Sequence, residues 1–308
     1  MDILLALVKT IRPRQWLKNA SLFAAIVFSG LLFAPGAIFV VIKAILIFSI
    51  LASAVYIFND IIDIEKDRAH PFKKKRPIAA GKLPIWIGVV AMFGGWILGL
   101  VWAYQLNLFF FLTCVAYVAV QFAYTLWLKN IPIVDVLVVA SSYVMRVYAG
   151  AFVINAHMDV WFMLTVVSAA LFLAIGKRRS EMTLLKGRGE VQVRIALRHY
   201  TEQLIDVYTA MFANATLLTY ALFTFNHPRI IPAGKALTLM SDLPRTLMSE
   251  KLLMATTPFV IYGVMRYLQL IYERNEGESP ERILLSDKPL ITTIVIWAVL
   301  TVGLLYYV

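Results

Sequence analysis

Charge, cysteine and histidine are scarce in this sequence. Only 15% of its 308 residues are charged, 61% are hydrophobic and the mean hydropathy is +0.77, which excludes a soluble globular protein. The single cysteine, Cys114, lies in an apolar stretch, so an intrachain disulfide is excluded and a cysteine metal site is not indicated. The four histidines form no persuasive catalytic pattern. No low-complexity linker or short-period repeat divides the chain, so residues 1–308 are predicted to form one integral domain.

Hydrophobic stretches of about 20 residues, the length needed to cross a bilayer, recur along nearly the whole chain. Runs such as 44–58 are apolar on nearly every face and too long for the strands of a membrane β-barrel. The pattern therefore predicts an all-α integral membrane protein with nine transmembrane helices. The predicted spans are 19–34, 37–58, 84–104, 107–127, 132–153, 159–176, 204–225, 251–272 and 289–308.

Basic residues are concentrated on one side of the predicted bundle. With a cytosolic N-terminus, most of the 29 Lys and Arg residues fall in cytosolic segments, as the positive-inside rule requires. Topology thus accounts for the net charge of +11 without a nucleic-acid partner. The two long cytosolic segments are 59–83 and 177–203. Residues 1–18 are predicted to form an interfacial segment on the membrane surface, or else a short helix packed on the bundle.

Residues 59–67 read Asn-Asp-Ile-Ile-Asp-Ile-Glu-Lys-Asp, the most specific pattern in the chain. In a helix, Asp60, Asp63 and Asp67 are spaced i, i+3 and i+7 and share one face. Three converging carboxylates repel one another unless a cation lies among them, and Mg²⁺ commonly bridges such oxygens to substrate phosphates. We therefore expect these three residues to be the metal ligands and the catalytic residues. The alternative is a solvated loop at a helix end, and Glu65, off the shared face, is expected to be solvated.

Basic side chains in the same cytosolic segments are candidate ligands for substrate phosphates. Lys73 and Arg76 follow the aspartate pattern directly, and Lys177 and Arg178 follow the sixth predicted span. For the latter two residues, the positive-inside rule alone is the alternative explanation. Lys18 precedes the first span, where it either meets the phosphate of a lipid or anchors the chain at the interface.

One arginine, Arg146, lies well inside the fifth predicted span. A charge at membrane depth costs about 2.5 to 3.5 kcal/mol on insertion scales, so this side chain is expected to face a polar partner. That partner is either a substrate phosphate or an inward carboxylate such as Asp135. Lys43 lies nearer the outer face, where its long side chain can reach the interface.

The pattern Asn-Asp-x-x-Asp-x-x-x-Asp at 59–67 resembles the first aspartate-rich motif of the UbiA superfamily of intramembrane prenyltransferases. The resemblance implies a UbiA-type bundle in the bacterial cytoplasmic (inner) membrane, a cavity opened by cytosolic aspartate-rich loops, and Mg²⁺ as cofactor. Tyr124 and Lys129 resemble the family's Tyr and Lys at the end of the fourth helix. The resemblance adds these two residues, with Asn59 and Glu181, to the expected substrate ligands.

Four blocks are similar to one branch of this superfamily, the decaprenyl-phosphate phosphoribosyltransferases: residues 12–19, 67–81, 176–181, and 279–281 with 284–290. Ordinary prenyltransferases carry a second aspartate cluster after helix six, whereas residues 177–181 here read Lys-Arg-Arg-Ser-Glu. More cationic charge suits a reaction in which both substrates carry phosphate. The resemblance implies transfer of 5-phosphoribose from phosphoribosyl diphosphate to a polyprenyl phosphate, for cell-envelope arabinan precursors.

Two other functions remain open from the sequence. The first keeps the fold but lets a polyprenyl diphosphate donate its tail to an aromatic acceptor, a reaction that favours acidic residues at 177–181. The second is a carrier or lipid flippase, for which several charged residues at the membrane midplane are expected. Helix faces rich in small residues suit packing within one chain or a homo-oligomer equally well.

Overall fold

The computed structural model of the chain describes residues 3–69, 73–186, 196, 199–228, 251–273, 283 and 286–307. The regular structure in these residues is entirely helical, which confirms the all-α part of the predicted fold class. The α-helices are α1 Ile3–Ile11, α2 Phe23–Phe28, α3 Ala37–Ile62, α4 Ile64–Ala69, α5 Ile85–Leu106, α6 Leu108–Leu126, α7 Val134–Val153, α8 Val160–Lys186, α9 Glu202–Asn226, α10 Thr257–Glu273 and α11 Lys288–Tyr306. Short 3₁₀ helices are Pro13–Leu22, Lys73–Lys75, Leu128–Asn130 and Leu252–Thr256.

Six of these helices are long and apolar enough to cross a membrane: α3, α5, α6, α7, α8 and α11. Each coincides with one of the nine predicted spans. The predicted spans 204–225 and 251–272 coincide with α9 and α10, but neither helix is among these six. The hydrophobic stretches therefore locate the helices well, and six of them meet the criterion for a span in the described part of the chain.

The prediction of one continuous helix over 19–34 is wrong. This part of the chain holds the end of the 3₁₀ helix Pro13–Leu22, the six-residue helix α2 and a series of turns. Two glycines, Gly30 and Gly36, have φ of 76° and 78°, a left-handed conformation that interrupts a helix and suits glycine. The polar side chain of Asn19 is buried. A straight apolar span would have left it facing hydrocarbon without a partner.

The chain divides into two compact units, Met1–His157 with Leu184–Thr201, and Met158–Thr183 with Glu202–Val308. The first unit is built around α3, whose buried residues form one hydrophobic cluster with the 3₁₀ helix, α2, α5, α6 and α7. Helix α1 packs on α3 through Ala6, which is fully buried, while Leu4 on its other side is 71% exposed. The N-terminal segment is thus a short packed helix with an exposed apolar face.

The second unit packs α8, α9, α10 and α11 around a cluster that includes Phe172, Tyr267 and Leu290. Helix α11 begins at Asp287, whose side chain accepts a hydrogen bond from the Leu290 N–H at 3.0 Å. The same carboxylate pairs with Arg266 at 2.7 Å. A capped helix start and a charge pair therefore fix the last helix against α10 within this unit.

Gly150→Ala is expected to destabilise the first unit strongly. A Cβ at this position on α7 would lie 2.2 Å from the carbonyl oxygen of Leu22, which is backbone and cannot rotate away. Overpacking of this kind costs about 1 to 3 kcal/mol or more. Thermal unfolding in detergent should show a lower midpoint for this variant. Gly94→Ala, where a Cβ meets nothing within 4 Å, is the matched control and should unfold at or slightly above the midpoint of the parent, because alanine favours a helix over glycine.

Candidate active site

The aspartate pattern lies where α3 ends and α4 begins. Helix α3 stops at Ile62, and Asp63 follows as its C-terminal cap with φ −94° and ψ 14°. The three aspartates therefore do not share the face of one continuous helix, and that part of the prediction is wrong. Asp60 and Asp67 are only 1% and 3% exposed, whereas the side chain of Asp63 is 26% exposed. The described partner of Asp63 also differs from those of Asp60 and Asp67.

Arg76 joins the two buried carboxylates. Its Nη1 donates to Asp60 Oδ1 at 3.1 Å and to Asp67 Oδ2 at 2.6 Å. The guanidinium of Arg12 donates to the same oxygen of Asp60 and lies over the ring of Tyr56, 5.1 Å from its centre. Burial lowers the pKa of Arg12, an effect that the neighbouring Asp60 opposes, and arginine stays protonated at neutral pH. Two cations and two carboxylates thus form one largely buried cluster.

The loop that carries Arg76 is fixed by apolar packing and backbone hydrogen bonds. Ile78 and Leu83 are 1% exposed and pack with Ile57 of α3 and Ala6 of α1. The backbone of Arg76 accepts a hydrogen bond from the Ala80 N–H at 2.8 Å. A loop of basic residues therefore ends in a rigid apolar turn, which places the guanidinium beside the carboxylates.

Lys129, just after the end of α6, contacts Asp63. Its Nζ donates to Asp63 Oδ1 at 2.7 Å, and Lys129 itself is 9% exposed. One turn earlier, the Thr125 hydroxyl donates to Asn59 Oδ1. The ends of α3 and α6 are therefore joined by two polar contacts, and the predicted residues Asn59, Asp63 and Lys129 belong to one site.

The carboxylates suit a divalent cation chemically. Among the described residues, no group of three or more His, Cys, Asp or Glu side chains is arranged to hold a metal ion. However, Asp60 Oδ2 is buried and has no hydrogen-bond partner in the described part of the chain. A buried, unsatisfied carboxylate oxygen is costly, and a hard oxygen of this kind is the donor that Mg²⁺ prefers. The donor set therefore fits the ion.

The N-terminal 3₁₀ helix is bound along α3 by polar contacts. Trp16 Nε1 donates to Ser53 Oγ at 3.0 Å, and Asn19 Nδ2 donates to Ser49 Oγ at 2.8 Å. Together with the bond from Arg12 to Asp60, these contacts follow one face of α3. Arg12, with φ 53°, is the site residue that the sequence analysis missed. Its position in the block 12–19 was the available signal.

Arg146 is buried and belongs to this same polar layer. It is 3% exposed, its Nε donates to Asn19 Oδ1 at 2.8 Å, and its guanidinium lies 5.3 Å from the ring centres of both Phe48 and Tyr117. The predicted ion pair between Arg146 and Asp135 is wrong. The two residues lie about 16 Å apart along α7, at about 1.5 Å per residue. Arg146 therefore holds the 3₁₀ helix in the described structure.

The predicted residues on α8 lie in the second unit. Arg178 is 1% exposed and pairs with Glu181 one turn later. Arg179 Nε donates to Asp206 Oδ1 at 2.8 Å, and its guanidinium lies over the ring of Tyr272. These two pairs balance part of the positive charge of the block at 177–181.

Four further predicted substrate ligands occupy half-buried positions. Lys18, Lys73, Tyr124 and Lys177 are each half-buried, and their roles stay predictions. Residues 70–72, 187–195, 197–198 and 229–250 lie outside the described residues, and so do 279–282 and 284–285 of the last similar block.

Comparison with known proteins identifies the family of the chain. A profile of the UbiA prenyltransferase family matches residues 21–280. Decaprenyl-phosphate phosphoribosyltransferase of Mycolicibacterium smegmatis is 31% identical, with 99% of this chain and 94% of that protein covered. The enzyme of the same name from Mycobacterium tuberculosis is 32% identical, with 98% and 94% covered.

Solved structures share the fold. A UbiA homolog from Archaeoglobus fulgidus bound to DMAPP and Mg²⁺ has a TM-score of 0.69 at 17% identity, covering 98% of this chain and 99% of that one. The structure of a digeranylgeranylglyceryl phosphate synthase has a TM-score of 0.64 at 16% identity, with both chains fully covered. Family profile, full-length relatives and fold agree: the chain belongs to the UbiA prenyltransferase family.

Proposed function

We propose that the chain transfers 5-phosphoribose from 5-phosphoribosyl 1-diphosphate to a polyprenyl phosphate such as decaprenyl phosphate, releasing diphosphate. The enzyme would lie in a bacterial cytoplasmic membrane, with its N-terminus and this site on the cytosolic side. The observation that carries the proposal is the cluster at the end of α3, where Arg12 and Arg76 pair with Asp60 and Asp67. The names of relatives that match nearly the full chain support the choice of substrates.

The reaction needs charge stabilisation rather than proton transfer. An oxygen of the lipid phosphate attacks C1 of the ribose while the bond from C1 to the diphosphate oxygen breaks. The electron pair leaves with the diphosphate, and the configuration inverts from α to β. The lipid phosphate is already ionised, so a general base is not needed. The site must therefore hold the diphosphate and balance the charge that develops on it.

Asp60, Asp63 and Asp67 would hold Mg²⁺. When bound, the ion neutralises the charge on the departing diphosphate. Arg12 and Arg76, which pair with these carboxylates in the described structure, would donate to phosphate oxygens of the bound substrate. In the ligand-free state the same arginines balance the carboxylates, which keeps the acidic residues together at low electrostatic cost.

The other predicted ligands are proposed to bind substrate phosphates as well. Lys129 and Asn59 reach the site from α6 and α3, and Lys73 lies on the loop that carries Arg76. Lys177 and Arg178 are further candidate phosphate ligands. Three cations at 177–179, with Glu181 as the one carboxylate of that block, favour phosphate-bearing substrates over a second metal site.

Transfer is testable with purified protein in detergent. Labelled phosphoribosyl diphosphate, polyprenyl phosphate and Mg²⁺ should give label in the organic phase, and removal of the metal with EDTA should abolish it. An excess of Mg²⁺ over EDTA should restore the activity. Absence of transfer, together with activity on a polyprenyl diphosphate and an aromatic acid, would contradict the proposal and select the ordinary prenyl transfer.

A further inference from the structure

The connection between α6 and α7 contains a strained turn. Ile133 has φ 68° and ψ −49°, and the Val134 N–H donates to the Pro132 carbonyl at 2.8 Å. These features define a γ-turn of the rare, strained kind. A positive φ is an outlier for a β-branched residue. The side chain of Ile133 is 53% exposed, so packing of that side chain does not explain the conformation.

The hydroxyl of Tyr200 is hydrogen-bonded to this turn. The Ile133 N–H donates to the Tyr200 hydroxyl at 2.5 Å, and that hydroxyl donates to Asp135 Oδ1 at 2.9 Å. Tyr200 is 6% exposed and Asp135 is fully buried, so water does not compete for these bonds. Strained backbone persists only where surrounding contacts over-determine it. Tyr200 and Asp135 supply such contacts on both sides of Ile133.

Backbone hydrogen bonds connect this turn to the segment that carries Lys129, the residue that contacts Asp63. The Ile131 N–H donates to the Leu128 carbonyl at 3.2 Å, and the Asp135 N–H donates to the Ile131 carbonyl at 3.0 Å. Lys129 lies within this series of bonded turns, with its Nζ 2.7 Å from Asp63. A change at Ile133 would therefore move the backbone that carries Lys129.

We propose that Tyr200 and Asp135 are positioning residues that fix the strained turn and thereby hold Lys129 against Asp63. Neither needs to touch a substrate. Tyr200 is distant in sequence from this turn but belongs to the same unit, so its contact joins a residue from beyond α8 to the backbone that carries Lys129. The kinetic consequence rests on the proposed function, whereas the structural consequence does not.

A distance measurement tests the structural consequence without turnover. In a Cys114→Ala background, Ile62→Cys and Trp127→Cys place spin labels at two exposed positions, 45% and 62% accessible, beside Asp63 and Lys129. We expect a narrow distance distribution in this parent and a broader one with Tyr200→Phe. Adding Ile133→Gly to Tyr200→Phe should narrow it again, because glycine adopts a positive φ without a steric penalty.

Kinetics test the consequence for the site. Tyr200→Phe should raise the KM for phosphoribosyl diphosphate about tenfold, the effect of about one hydrogen bond, and leave the KM for the lipid unchanged. Adding Ile133→Gly to Tyr200→Phe should restore the KM for phosphoribosyl diphosphate to that of the parent. A general loss of stability predicts the opposite, since glycine weakens a fold further.

The proposal is overturned by an unchanged distance distribution in Tyr200→Phe, or by a broad one that Ile133→Gly leaves broad. If Tyr200→Phe does not fold, Asp135→Asn replaces it. In Asp135→Asn the side-chain oxygen can still accept the hydrogen bond of the Tyr200 hydroxyl, so this variant should broaden the distance distribution less than Tyr200→Phe. A distribution unchanged from that of the parent counts against the proposal. If the parent protein gives a narrow distance distribution but does not transfer phosphoribose, the proposed function is refuted and the positioning proposal is not.

Discussion

Asp63→Ala should lower the transfer rate by at least about 100-fold, the effect of removing a group that stabilises developing charge, and leave thermal stability close to that of the parent. The side chains of Asp63 and its described partner Lys129 are 26% and 11% exposed. The long lysine side chain can turn its ammonium group to water when the carboxylate is removed, so the folded protein loses an ion pair worth about 1 kcal/mol or less. Initial rates and unfolding midpoints, measured on the same preparation, separate the two effects.

Two variants of the same segment complete this experiment. Asp60→Ala should lose activity and stability together, because it takes the buried carboxylate away from Arg12 and leaves Arg76 paired with Asp67 alone, a loss of about 3 to 5 kcal/mol. Glu65→Ala removes an exposed carboxylate and should behave like the parent in both measurements. Full activity of Asp63→Ala would remove this residue from the metal site, and an equal loss with Glu65→Ala would show that the effect is not specific.

Arg146→Met should destabilise the protein by about 2 to 4 kcal/mol. The change leaves Asn19 Oδ1 without its donor at 2.8 Å, and each unsatisfied buried group costs about 1 to 3 kcal/mol. It also removes the contacts of the guanidinium with the rings of Phe48 and Tyr117, which are worth about 2 kcal/mol when desolvated. Relief of the desolvation cost of the charge offsets part of this loss.

The matched control is Lys43→Met, which removes a cation from α3 where the side chain is exposed. This variant should unfold at the midpoint of the parent. For Arg146→Met we expect a midpoint lower by roughly 5 °C or more, measured by scanning fluorimetry in one detergent. Equal midpoints for parent and Arg146→Met, with a loss of transfer only, would assign Arg146 to substrate binding instead of the fold.

The sequence was sufficient to locate most of the helices and to propose which acidic residues form the site. Hydrophobic length decides where a chain can cross a membrane, so six predicted spans coincide with helices of the right length and composition. The spacing of Asp60, Asp63 and Asp67, with nearby lysine and arginine, was enough to predict that these carboxylates have cationic partners, because carboxylates need cations when they are buried, and the structure pairs all three with arginine or lysine. Both features are local in the chain and can be read from adjacent residues.

The partners of those residues were decided only by the tertiary structure. Arg12 approaches Asp60 across 48 positions of sequence, and Arg146 approaches Asn19 across 127. Local patterns carry no information on such pairs, so the sequence suggested Asp135 for Arg146 and omitted Arg12 from the site. The helical stretch expected over 19–34 failed for the same reason. Asn19 finds its hydrogen bonds on α3 and Arg146, and a buried polar group follows its partners rather than the apolar pattern around it.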